Sequence, residues 1–543
     1  MGLAWRPGAR FSVRAHRLSS AIPIAALRSA SAVVLGLTAV ATLPAALAEV
    51  PLMAGQRARP LNGTFNQVPV LHSNQPEEVE GPGILISTAP GVSYAAENGM
   101  ALRNAEYTFN GEFGVHMHHK YFPTYRSQIR AGERRTELTL GLILINPGRA
   151  PVSIRFDHGA VRNSFEAPYL ANNLLGVKPL GRRPWNTGPG DATAVQMLRE
   201  QLDRNLSETV VIPPRSRIVL FRTQLPALGI ANGLLRGRSN GPFQMAVVAA
   251  SSPGTDADLI AELDRRRLAP GRIYLRRLAD IESRRVFSRV GGVAIGDTYT
   301  ASLQHDLKSQ GPLHVPFTST TRHHFGTRDV QVNPLASRMI DSSLDNVGTY
   351  GVRFDVDLKL KGSGPYELVL SHPPLAGSPR PFVAFRGSLQ VRTEEGLQEM
   401  HLGMRSGESH ALTTLNLKPG VANPVRVSLV YPADATPGHL LSVVPASQLA
   451  VVQARQSQQT AAASPADEPV QPPVRPATPN PLLAPRPRVP RTQVARPPAS
   501  ASQIGGEGAI KPPPSLPHQQ PLQDRYREAL EAQQEIIRGL MGR

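Results

Sequence analysis

Three histidines stand within four positions in the stretch GEFGVHMHHKYFP, Gly111 to Pro123: His116, His118 and His119. A neutral imidazole is the commonest protein ligand for a metal ion. A His-x-His pair on a strand sets two rings on one side, ~7 Å apart at Cα, close enough to share one ion. Strand parity divides the three. With residues 105–121 as one strand, Tyr107, Phe109, Phe113, Val115, Met117, His119 and Tyr121 make a core face. Thr108, Asn110, Glu112, His116, His118 and Lys120 make a polar face. His116 and His118 then stand side by side, and His119 points the opposite way, hydrogen-bonded under the sheet. Asn110-Gly111 is read as a bulge or as plain strand, because a turn there would pair Phe109 with Glu112 and spoil the apolar face.

The pair resembles the opening of a cupin metal motif and departs from it at once. A Glu should follow a few residues on, where Tyr121, Phe122, Pro123 and Thr124 stand instead. A divalent metal on His116 and His118 would need ligands from elsewhere, and His323, His324 and Asp329 are the candidates. The competing reading is a surface or structural histidine cluster with no metal. A second candidate is the loop GRRPWNTGPGD, Gly181 to Asp191, which carries Arg182, Arg183 and Trp185. Exposed, those three side chains would stack on a sugar or grip an acidic group; buried, Trp185 would anchor a long loop. Gly237-Arg238-Ser239-Asn240-Gly241 has the letters of a nucleophile elbow. Pro242 and a strand pattern follow where a helix is required, so it reads as a hairpin turn. Gly291 to Gly296 matches neither phosphate-binding glycine pattern and reads as close-packed β backbone.

Composition narrows the setting. The 543 residues include no cysteine, which excludes disulfides, thiolate metal sites, cysteine nucleophiles and lipid attachment through an N-terminal Cys. Arg6, Arg10, Arg14, Arg17 and Arg28 precede the first acidic residue, and the apolar run SAVVLGLTAVATLPAALA ends in Ala46-Leu47-Ala48. These are the parts of a cleaved export signal spanning 1–48. The run is too short for a membrane anchor and is interrupted by Pro44, so no transmembrane span is expected after cleavage. The formal charge is +18, of which the signal holds five, leaving +13. No dense Lys/Arg run carries interleaved aromatics, so an acidic envelope polymer is the expected partner and nucleic acid is not.

The elements that would position these residues read as mainly β. In YGVRFDVDLKL, Tyr350, Val352, Phe354, Val356, Leu358 and Leu360 alternate with polar residues, and a Gly/Pro turn precedes Tyr366, Leu368 and Leu370. TELTLGLILINPGRAPVSIRF and LNLKPGVANPVRVSLVYP have the same shape, so three hairpins are expected. Helical insertions are expected at Asp191 to Leu206, with Asp191 as cap, and at Asp256 to Leu268. The expected fold class is antiparallel β-sandwich-like lobes with short helical insertions, a disordered Pro-rich tail and a C-terminal helix. One core serves no more than ~250–300 residues. A linker at 49–56 is therefore followed by a first lobe at 57–275 and a second at 276–452, the seam lying around Asp264 to Arg285. A Pro-rich spacer fills 453–521 and an amphipathic helix 522–543, suited to a protein partner or to self-association.

Four segments carry a family resemblance: Leu61 to Thr88, Tyr107 to Lys120, Leu138 to Ile154 and Arg289 to Ala301. Together they resemble a family of exported, mainly cyanobacterial proteins classed as a domain of unknown function, over about Arg57 to Val452. The resemblance implies a periplasmic, outer-envelope or extracellular location and carries over no catalytic residue. The expectation is an exported, basic envelope protein acting without catalysis on wall or surface material. The alternative is a metal-dependent hydrolase or oxidase built on His116 and His118.

Overall fold

The computed structural model describes residues 51–53, 55–123, 137–169, 175–182, 187–284, 289–374, 382–433 and 435–463. All belong to one of the chain's two compact units, Leu47–Arg543. The expected signal peptide, Arg183, Trp185, the spacer from 464 onward and the terminal helix lie outside the described residues.

The chain folds as antiparallel β-sandwich-like lobes built around two separate apolar cores. The first core fills the space between a nine-stranded and a four-stranded sheet. The larger sheet runs in the order Thr209–Ile212, Val152–Asn163, Ile230–Ser239, Glu112–Tyr121, Pro69–Ser73, Gly291–Ile295, Asn333–Arg338 and Asp345–Asn346, with Glu78–Val79 also paired to Glu112–Tyr121. The smaller holds Ser216–Pro226, Glu137–Asn146, Gln244–Ser251 and Gly83–Ser87. Phe113, Met117 and Phe156 from one sheet meet Leu140, Leu142 and Val247 from the other. The second core lies between a seven-stranded and a four-stranded sheet, where Phe354, Val356 and Leu389 meet Val315, Leu368 and Leu441.

The alternation at 353–361 is realised as expected: Phe354, Val356, Leu358 and Leu360 are buried in the second core. On the strand's other face Asp357 receives two hydrogen bonds from Arg426, its cross-strand partner, at 2.7 Å each.

The turns differ from the hairpin reading. Strands 137–146 and 152–163 lie in different sheets, as do 353–361 and 364–371, and 409–417 and 423–430. Each Gly/Pro turn therefore carries the chain across a core instead of folding it back onto its own neighbour. Period-two alternation states which side chains face inward, and a strand that crosses to the opposite sheet satisfies it as well as a hairpin partner does. The Gly237 to Gly241 segment is likewise a crossing, since 230–239 and 244–251 belong to different sheets. Gly292 fits the close-packed reading: a Cβ there would come within 2.2 Å of the Ser337 carbonyl oxygen.

The segments are also shared between lobes. Strands 291–295 and 333–338 join the first core's sheet, with Val293 in that core. Strands 64–65 and 176–179 join the second core's sheet.

The first inserted helix runs Pro189–Leu198, with Gly188 as N-cap and Pro189 at its start, so Asp191 is inside the first turn and not its cap. The second, Asp256–Asp264, begins with a capping box between Thr255 and Asp258. A further helix, Ala446–Ala463, runs across the boundary expected at 452 between the second lobe and the spacer, and Leu449 and Val452 pack with Leu52 and Leu440. No helix among the described residues is long and apolar enough to cross a membrane.

Candidate functional site

Strand Glu112–Tyr121 has the expected parity. Phe113, Val115, Met117 and Tyr121 enter the first core. Gly111 begins the strand at a φ of 84°, left-handed backbone that glycine adopts without a Cβ clash. His119 lies on the core side, 0% exposed, bonded to Ser73 Oγ at 2.8 Å and to the Pro76 carbonyl at 2.8 Å.

His116 and His118 face away from that core, yet neither reaches solvent; each is 1% exposed. The second lobe and the helix Pro189–Leu198 cover them. Tyr350 stacks on His116 at 6.3 Å between ring centroids. Gly351, at a φ of 77°, approaches so closely that a Cβ would lie 3.3 Å from the His116 ring. His118 Nδ1 is 3.0 Å from Oδ1 of Asn232, its cross-strand partner, and the Asn232 amide donates to Thr193 Oγ1 on the helix at 2.5 Å.

His116 meets His72 on the parallel neighbour strand, Nδ1 to Nδ1 at 3.2 Å. One ring must donate and the other accept, so at least one is neutral. Burial holds His72 down at about 3, and His116 falls well below the usual imidazole range through burial and then its neighbours His72, His118 and His119. Beside them Glu77 is buried between Lys120, at 2.9 Å, and Arg289. Burial works to raise the Glu77 carboxyl, but the two cations and His118 outweigh it and hold it below the carboxylate range.

The other ligands expected for a metal lie elsewhere. Asp329 accepts from the Leu61 amide at 2.9 Å and from the Gln331 side chain at 3.2 Å. His324 Nδ1 accepts from the Arg328 amide within its own turn. His323 stands near His372 and His439; His439 meets Tyr431 edge-on, and Tyr431 stacks on Tyr350. Among the described residues no group of three or more His, Cys, Asp or Glu is placed to hold a metal ion.

A second buried cluster has the composition of a catalytic triad without its geometry. Asp191 Oδ2 accepts from Ser388 Oγ at 2.9 Å and lies 3.1 Å from His401 Nδ1. A nucleophilic serine needs the far imidazole nitrogen as its base. Here Ser388 lies on the Nδ1 side, at 3.4 Å, and bonds to the carboxylate itself. The cluster fastens the helix to the hairpin Val383–Thr393 and Gly396–Arg405, while Thr193, two residues on, fastens it to Asn232. Asp191→Ala leaves a buried hydroxyl and a buried imidazole N–H without their acceptor, an expected loss of about 1–3 kcal/mol. A urea midpoint unchanged from wild type would contradict that role.

The side chains open to solvent are of another kind. A cleft of about 240 Å³ is lined by Arg284, Thr320, Thr321, Arg322, His323, Asp345 and an apolar wall that includes Val330, Val332 and Leu344. Arg284 is paired with Asp345. Of the Gly181 to Asp191 loop, Arg182 is exposed, and its carbonyl accepts from Arg199 at 3.2 Å. His72, Asn232 and Thr193, which complete the histidine cluster, and Ser388 and His401 carry no local sequence signal, because each meets its partner across 39 residues or more.

The family comparison agrees with the resemblance in the sequence. The chain belongs to the family described as protein of unknown function (DUF3370), whose model matches residues 56–445. No curated protein matches it. Among solved structures it is similar to a Paenibacillus xanthan lyase, at 9% identity and a TM-score of 0.13, covering 68% of this chain and 26% of that one. A TM-score that low carries no statement about fold or activity.

Proposed function

We propose that this member of a family of unknown function is an exported, non-enzymatic binding protein of the cell envelope, holding acidic wall or surface polymer through its two β lobes. The observation that supports this reading is how reactive and basic side chains are distributed. His116, His118, Ser388 and His401 are buried and bonded to other parts of the fold. The cleft that is open presents Arg322 and His323 beside threonine hydroxyls and an apolar wall. Buried imidazoles that knit two lobes together are structural, whereas an open basic cleft on a chain of net positive charge suits an anionic partner. The +13 charge outside residues 1–48 adds long-range attraction to any acidic polymer, and that attraction weakens with salt.

Purified protein mixed with isolated cell envelopes is expected to sediment with them at low salt and to be released as sodium chloride rises toward 0.5–1 M, where screening falls within ~3–4 Å. Protein that stays in the supernatant at every salt concentration would sink the proposal.

A further inference from the structure

We infer that the cleft bounded by Arg322, His323 and Thr320 is a binding site for a carboxylated sugar unit, such as one uronic-acid residue of an acidic polysaccharide. This inference rests on the proposed binding function and gives it a location and a ligand class.

The first support is a free cation. The Arg322 side chain is exposed and has no acceptor among the described residues, whereas Arg284 across the cleft is paired with Asp345. A planar guanidinium suits a carboxylate, which it can hold through two parallel hydrogen bonds. The Asp345 carboxylate in the same lining would repel a doubly charged phosphate more strongly than a singly charged acid.

The second support is the uncharged lining. Burial lowers the His323 imidazole below its usual range, and neighbouring Arg322 and His324 lower it further, so at neutral pH it is a hydrogen-bonding group and not a second cation. Thr320, Thr321 and Thr436 add hydroxyls. Val330, Val332, Leu344 and Pro437 form an apolar wall against which the C–H face of a sugar ring can lie. About 240 Å³ is below the ~300–1,000 Å³ of sites for drug-sized ligands, which suits one ring of a longer chain.

The third support is rigidity. Thr320 Oγ1 accepts from the amides of Arg322 and His323, both at 3.2 Å, while the Thr320 amide donates to the His323 carbonyl at 3.3 Å. Gly438, at a φ of 101°, backs directly onto His323, where a Cβ would lie 2.6 Å from the His323 Cβ. The turn that presents Arg322 and His323 is thus set before any ligand arrives, which lowers the ordering cost of binding.

The test is calorimetric titration of the full chain with trigalacturonic acid, with maltotriose as the neutral control and inorganic phosphate as competitor. Arg322→Ala is expected to weaken binding tenfold or more, His323→Ala several-fold, and Arg328→Ala, on the exposed strand-connecting turn, not at all. Maltotriose should not bind, and phosphate at equal concentration should not displace the acid. Melting curves establish that each variant is folded. Arg322→Ala binding as tightly as wild type, or phosphate displacing the acid, overturns the inference. Wild type that ignores trigalacturonic acid but still sediments with envelopes overturns this site and leaves the broader function standing. Wild type that does neither overturns both.

Discussion

Asp341→Ala is expected to cost about 3–5 kcal/mol of stability. Arg272 and Asp341 have side chains 0% exposed. The guanidinium NH1 donates to both carboxylate oxygens, at 3.1 and 2.9 Å, and NH2 donates to the Leu85 carbonyl. Gln75 Nε2 adds a third hydrogen bond to Asp341 at 3.1 Å. Three distant segments, around 75–85, 272 and 341, thus meet at one ion pair beside the first core. Removing the carboxylate leaves the guanidinium sealed from water with a single carbonyl to face it, and an uncompensated buried cation is far more costly than the loss of an exposed pair. Asp341→Asn should lie between alanine and wild type, since it keeps one acceptor oxygen. The double variant Arg272→Met with Asp341→Leu should recover much of the loss, because it removes the stranded charge as well as the bond. Urea denaturation of the four proteins reads this directly. A midpoint for Asp341→Ala within ~1 kcal/mol of wild type would show that the pair is not sealed.

That ion pair illustrates which parts of the molecule a sequence can disclose. Inward and outward faces were legible wherever one strand carried its own pattern: Phe354 to Leu360 are buried, and Met117 and His119 fall on the core side as alternation requires. Strand partners were not. His72 lies beside His116 because Pro69–Ser73 pairs in parallel with Glu112–Tyr121, and a parallel pair needs a connection that leaves no turn signal next to either strand. For the same reason the three Gly/Pro turns read as hairpins although each crosses to the opposite sheet. The outward pair, His116 and His118, was expected on a polar face, and such a face is exposed only if nothing else in the chain needs to cover it. Here a second lobe does, and polar residues at its contact hydrogen-bond to one another: His116 with His72, His118 with Asn232, Asp191 with Ser388 and His401. His323 was legible as a candidate but with the wrong companions. Its neighbours in the cleft, Arg284, Leu344 and Pro437, come from segments up to 114 residues away, and only the fold assembles them.

Acid is expected to destabilise the folded chain steeply between about pH 6.5 and pH 3, through the same buried imidazoles. His72 and His119 are each lowered to about 3, chiefly by burial, and His372 to about 4. His116 and His439 move in the same direction. A group lowered on folding is neutral in the native state and takes up a proton on unfolding at any pH between its two values. Its contribution is therefore fully present above about 6.5 and is lost as pH falls toward the folded value. Each pH unit in that interval costs about 1.4 kcal/mol for each such group, so His72 and His119 alone remove on the order of 6 kcal/mol by pH 4.5–4. Glu77 acts in the same sense below about 4.5, because Arg289 and Lys120 hold it ionised in the fold. The groups facing these rings do not reverse the effect: His72, His118 and His119 all disfavour a charge on His116, and at His119 the Pro76 carbonyl and Glu77 favour the charged ring but burial, with His118 and Arg272, outweighs them. The melting temperature followed from pH 7.5 to pH 4 should therefore fall with a slope that grows below pH 6.5. His72→Phe, which keeps a ring against His116 but cannot take up a proton, should make the slope shallower even if it lowers stability at pH 7.5. A melting temperature that is level from pH 7.5 to pH 4.5 would mean that these imidazoles are reached by water in the native state, and the lobe contact would then have to be far looser than its packing shows.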